Sequence, residues 1–169
     1  MGMEGIGASV LRKEDKRFIT GKGRYTDDMS VPGMKHAHFV RSPHAHAEIK
    51  KIDTKKALAM PGVIAVLTGK ELKADGIGNI ICGWMIHSKD GSPMKMGAWS
   101  PLATDTVRYV GDAIVIVVAD TKSQARDAAE AVEITYKVKK AVVSAVDALK
   151  AGAPQIHPEA AGNLIFDWE

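Results

Sequence analysis

The spacing of apolar residues along this chain changes period several times, and each change marks an element. Lys35-His-Ala-His-Phe-Val-Arg-Ser42 reads as a strand that stops at Pro43, which has no N–H to give to a ladder. Ala47–Ile52 alternates apolar and polar and predicts a second strand. Asp53 can accept the free N–H groups of a helix beginning at Thr54; Ala57, Leu58 and Met60 form its apolar face and Pro61-Gly62 its stop. Val63–Leu67 is apolar without a break, the pattern of a strand buried on both faces. Thr68 caps a helical turn through Leu72. The pattern then lapses over residues 73–104, which hold five Gly and two Pro. Val107–Val110 and the turn Gly111-Asp112 lead into the longest apolar run, Ala113–Ala119. Asp120 or Thr121 caps a helix over 122–132, where Ala125, Ala128, Ala129 and Val132 share one face. Val132–Val138 alternates as a half-exposed strand. Ser144 caps a helix over Ala145–Lys150, closed by Gly152 and Pro154, and Asn163–Trp168 reads as the start of a strand.

The order of elements is ββαβ, a long loop, ββαβ, a short helix and β. This predicts an α+β fold, mixed α and β in one domain over residues 11–169. Residues 1–10 are small and Gly-rich and predict a flexible N-terminal arm. Arg12–Ile19 is a charged turn or short helix that ends at Thr20-Gly21. A chain of 169 residues with 46% hydrophobic content can bury a sizeable core. Its longest apolar run has seven residues, against the roughly twenty of a membrane-spanning helix, so no membrane span is expected. The start of the chain lacks the basic and apolar regions of a secretory signal.

Charge and chemistry narrow the function classes. The single cysteine, Cys82, can neither close an internal disulfide nor hold an iron–sulfur cluster alone, and a reducing cytoplasm is the expected compartment. Residues 11–56 carry 12 basic against 6 acidic side chains, which raises the question of nucleic acid. The charges are interleaved, however, and nine aromatics in the whole chain offer bases little to stack on, so no nucleic acid is expected. His36, His38, His44 and His46 form two i, i+2 pairs, a spacing that can hold a metal but equally gives a polar strand face; the structural reading is adopted. Gly5-Ile-Gly7, Gly21-Lys-Gly23 and Gly76-Ile-Gly78 are half-matches to a dinucleotide fingerprint, and none opens a capped helix after a strand. Asp27-Asp28 lies in a turn context that favours Asp anyway, and Cys82 has only His87 nearby in sequence. More informative are Trp84, Met85, Met94, Met96 and Trp99 in the long loop, with Phe166 and Trp168 in the tail. Trp and Met are enriched at interfaces, although a loop packed on its own core has the same composition. These seven residues are the candidate partner surface.

The ordered motifs resemble one family. Arg12–Asp28 is similar to the opening of the large subunit of molybdenum hydroxylases, which include aerobic carbon monoxide dehydrogenase, xanthine dehydrogenase and aldehyde oxidase. Phe39-Val-Arg-Ser-Pro-His-Ala-His-Ala47 follows, then Pro61-Gly-Val63, Val66-Leu-Thr-Gly69, Pro101-Leu-Ala103, Val107-Arg-Tyr-Val-Gly111 and Ala125 through Tyr136. The likeness leans to the carbon monoxide dehydrogenase large chain and covers nearly the whole sequence. It implies the family's N-terminal α/β hammerhead domain. His38 departs from it, standing where the family more often has a small residue. The family's large subunit continues for several hundred residues that hold molybdopterin, the active-site loop and the catalytic glutamate. No catalytic, cofactor-binding or metal residue is therefore carried onto this chain. The resemblance implies that the complete enzyme uses molybdopterin cytosine dinucleotide, with iron–sulfur clusters and FAD on partner subunits. It also implies that this chain's partners are the molybdopterin-binding remainder of the large subunit and those subunits. The expected role is structural and subunit-docking, without catalysis by the isolated chain; the alternative is a stand-alone binding or assembly module reusing the fold.

Overall fold

The computed structural model describes residues 5–168, so residues 1–4 of the expected arm and Glu169 lie outside the described residues. The chain divides into two compact units, Met1–Met34 and Lys35–Glu169. In the first, helix α1 (Asp15–Ile19) is followed by a 3-10 turn over Thr26–Asp28, in which the Asp28 carboxylate accepts from the Tyr25 N–H at 2.9 Å. Phe18 stacks on Tyr25 with ring centroids 5.0 Å apart. None of its described residues is buried.

The second unit holds two three-stranded antiparallel sheets. In one, β5 (Ala113–Ala119) lies between β1 (His36–Arg41) and β3 (Val63–Thr68). In the other, β2 (Ala47–Asp53) lies between β4 (Thr106–Val107) and β6 (Glu133–Val138). His36 opposes Ala119 and Val40 opposes Val115 before a bulge brings Arg41 opposite Ala113. The longest apolar run thus becomes the central strand, paired along both edges, and Ile114, Val115, Val117 and Ala119 are buried on it. Ala47, Val107, Val115, Val117 and Ala128 join a single core, with Ile49, Ile52, Ile134 and Tyr136 of the second sheet packed against it.

Val63–Leu67 departs from the sequence expectation. It forms β3, but at the edge of its sheet, and Ile64 is 50% exposed rather than buried. Unbroken apolarity marks a strand that can be buried, and β5 took the central position.

Local chemistry fixes the helices. α2 (Lys55–Leu58) follows β2, and the Asp53 carboxylate accepts from the Lys55 N–H at 3.3 Å. α3 (Gly69–Ala74) begins at a capping box: the Thr68 hydroxyl accepts from the Lys70 N–H, and the Glu71 carboxylate accepts from the Thr68 N–H. Gly69 is needed there, since a Cβ would stand 2.8 Å from the Leu102 carbonyl oxygen. α4 (Lys122–Glu130) is capped by Thr121 and sets Ala125, Ala128 and Ala129 into the core. α5 (Ala145–Ala148) is capped by Ser144. Both of these helices stop about two residues short of the sequence expectation, as ends fray into turns.

Candidate functional site

Residues 77–99 fold as an irregular two-stranded ribbon. The Ile80 N–H donates to the Trp99 carbonyl at 2.8 Å, the Met94 N–H to Ile86 at 2.8 Å, and the Ser88 N–H to Ser92 at 2.8 Å, with the tip at Asp90-Gly91. The C-terminal tail runs beside it. The Lys95 N–H donates to the Ile165 carbonyl at 2.8 Å and the Lys89 N–H to Asp167 at 2.9 Å, while the Asp167 N–H donates to the Ser88 hydroxyl. An ion pair joins Lys89 and Asp167 at 3.0 Å. The tail is therefore extended, as expected, yet forms no regular strand; its partner is the ribbon.

These bonds bring the loop and the tail, 70 residues apart in sequence, onto one surface. No residue between Lys73 and Pro101 is buried. Trp84 is 79% exposed, Trp99 58% and Trp168 70%; Met85 and Met96 are also exposed, while Met94 and Phe166 are half-buried. Ile77, Ile80 and Ile81 belong to the same exposed set and were not singled out by composition.

Beside the ribbon lies a cleft of about 730 Å³, lined among others by Met94, Met96, Trp99, Cys82, Arg108, Asp112 and His157. The Cys82 thiol is turned to the Trp84 carbonyl at 3.1 Å. Asp112 is buried and accepts from the Arg108 N–H at 3.0 Å, and the Arg108 Nε donates to the Ile156 carbonyl at 3.2 Å. Burial first, and the neighbouring Arg108 charge second, hold the His157 imidazole below its ordinary value. Arg108 and Asp112 entered the sequence reading only as part of a family motif and a turn, and His157 not at all, so their meeting here was not anticipated.

The other candidates are accounted for separately. His46 is buried with its Nδ1 against the Lys140 carbonyl at 2.9 Å, and His44 meets Tyr136 edge-on at 4.8 Å. Among the described residues, no three His, Cys, Asp or Glu side chains gather as metal ligands would. Gly76 ends α3, with the Ile77 N–H bonded back to the Leu72 carbonyl, so Gly76-Ile-Gly78 closes a helix instead of opening one. A single cysteine supplies too few thiolates for an iron–sulfur cluster.

The model of the aldehyde oxidase and xanthine dehydrogenase a/b hammerhead domain matches residues 20–140. The chain belongs to this hammerhead family. It is 40% identical to the carbon monoxide dehydrogenase large chain of Hydrogenophaga pseudoflava over 99% of its own length and 21% of that protein's. It is 38% identical to the nicotine 6-hydroxylase large subunit of Paenarthrobacter nicotinovorans, over 87% of this chain and 17% of that one. Among solved structures, it superposes on quinoline 2-oxidoreductase from Pseudomonas putida 86 with a TM-score of 0.76 and 35% identity, covering 89% of this chain and 18% of the other. A Cu,Mo-CO dehydrogenase superposes with a TM-score of 0.71 and 38% identity, covering 90% and 18%. The chain thus spans about a fifth of the length of the curated relatives it matches. The expected α+β hammerhead fold and the family resemblance both hold. Among the described residues, no helix is long and apolar enough to cross a membrane.

Proposed function

We propose that this chain is the hammerhead portion of a molybdopterin-dependent oxidoreductase of the carbon monoxide dehydrogenase type. Its role is to dock: the ribbon and tail seat it on the molybdopterin-binding remainder of the large subunit, within a complex that includes iron–sulfur and flavin subunits. The isolated chain carries out no oxidation. The complete enzyme uses molybdopterin cytosine dinucleotide, with clusters and FAD on the partner subunits, and works in the cytoplasm.

The observation that carries this reading is the exposure of Trp84 and Trp99 on a segment with no buried residue from Lys73 to Pro101, and of Trp168 on the tail bonded to it. Burying such side chains on a partner contributes about 1.5–3 kcal/mol each, which their own fold does not collect. The relatives run several times longer than this chain. The second reading, a stand-alone assembly module, shares the fold and could use the same surface; the two part on whether the partner carries molybdenum.

The test is purification of the tagged chain from its own cells, with molybdenum measured in what accompanies it. About one molybdenum per chain in the complex, and none on the chain once it is separated, is the expected result. Trp84→Glu with Trp168→Glu is expected to lose the molybdenum partner. Molybdenum bound stoichiometrically by the separated chain, or a complex unaffected by both substitutions, overturns the reading.

A further inference from the structure

His157 stands between two clefts. The larger, about 730 Å³, lies beside the ribbon; the smaller, about 280 Å³, is lined by Val142, Ser144, Ala148 and Ala160. His157 and Ile165 line both, and so form the wall between them. The His157 Nδ1 is buried without a hydrogen-bond partner. A Cβ on Gly97 would stand 2.3 Å from that nitrogen, so the ring is seated on bare ribbon backbone. Nothing in this seat compensates a positive charge well. Arg108 opposes one, and burial opposes one more strongly, while Glu159 and Asp112 pull the other way with smaller effect.

We propose that His157 is an acid-released latch that seats the C-terminal tail on the ribbon while neutral and lets it go when protonated. The imidazolium leaves the seat on Gly97 for the larger cleft, where Asp105 and Asp112 face Lys73, Lys95 and Arg108 and where water, more than any one side chain, takes up its charge. The wall then opens. What still holds the tail is the main-chain bonds from Lys95 to Ile165 and from Lys89 to Asp167, one bond to the Ser88 hydroxyl, the half-buried Ile165 and Phe166, and an exposed ion pair of little worth, while Arg108 Nε and the Asn163 amide keep the segment before it in place. The folded-state value is depressed, so the latch is closed above the ordinary imidazole value near 6.5 and opens as pH falls through the lower folded value. The latch concerns the chain with its ribbon and tail uncovered, so its test needs no partner and is separate from that of docking.

The test is hydrogen exchange on the full 169-residue chain, comparing protection factors at about pH 8 and pH 5. The Lys89 and Lys95 amides are expected to lose about tenfold or more in protection at the lower pH, while Val117 on the central strand keeps its own. His157→Phe, which fills the seat and takes no proton, is expected to hold the tail at both values. Gly97→Ala, whose methyl displaces the ring, is expected to show the released tail already at pH 8, with no further fall. Unchanged protection in the unsubstituted chain overturns the latch, as does an equal loss in His157→Phe. Should His157→Phe lose protection at Val117 and so fail to fold, Gly97→Ala decides: a normal pH response there overturns the proposal.

Discussion

Thr68 ends β3 and starts α3 with two side-chain contacts. Its hydroxyl accepts from the Lys70 N–H at 3.2 Å and hydrogen-bonds the Glu71 carboxylate, which also accepts from the Thr68 N–H at 2.8 Å. Thr68→Ala is expected to cost about 1 kcal/mol, read as a lower urea midpoint at pH 7. The same contacts set a pH dependence. The Thr68 hydroxyl, more than any other group, holds the Glu71 carboxyl below its ordinary value of 4.5. A depressed carboxyl contributes stability that is present above 4.5 and is lost as pH falls through the folded value. The gap between the unsubstituted chain and Thr68→Ala should therefore shrink as pH falls from about 6 to 3. A gap constant over that range would deny Glu71 its part in the cap.

At the scale of elements, α4 shows what small residues do. Ala125 and Ala128 are fully buried and Ala129 nearly so, which lets the helix backbone lie close over the first sheet. Ala128→Leu would add a branched side chain where no space exists, and is expected to destabilise by about 1–3 kcal/mol in thermal unfolding. An unchanged melting temperature would mean the helix has room that the packing does not show. The caps at Thr68 and Ser144, and that of α4 to within one residue (Asp120 or Thr121), were legible because each is settled within a few residues; the stop of α3 at Gly76, past the expected end at Leu72, was not. The central and edge positions of β5 and β3 were not, because apolarity alone does not say which strand has neighbours on both sides. The tail's pairing was hidden for a related reason: its partners at Ser88, Lys89 and Lys95 are 70 or more residues away. The cluster of Arg108, Asp112 and His157 was equally hidden, since its members meet only when the segment around Ile156 returns to the β4–β5 corner. Trp and Met in the loop could be picked out by composition, whereas their exposure could only be seen once the fold was known.

For the whole molecule, the core and the apolar surface are separate matters. The core gathers around β5, β2 and α4, and no residue of the ribbon belongs to it. Ribbon and tail nonetheless carry Ile81, Trp84, Trp99 and Trp168 in contact with water. In an isolated chain such side chains find each other across molecules, since apolar area removed from water contributes about 25 cal/mol per Å² whatever covers it. The isolated chain is therefore expected to self-associate in a concentration-dependent way, seen by light scattering after size exclusion, and to bind an apolar dye. Trp84→Glu with Trp168→Glu should abolish both. It should shift stability by no more than about 0.5 kcal/mol, because neither side chain leaves a core it had joined. These two readouts separate docking from folding: a surface that served the chain's own stability would lose melting temperature on substitution, and one that serves a partner would lose only association. A monomer at high concentration that binds no dye would mean the ribbon and tail have no need of a partner.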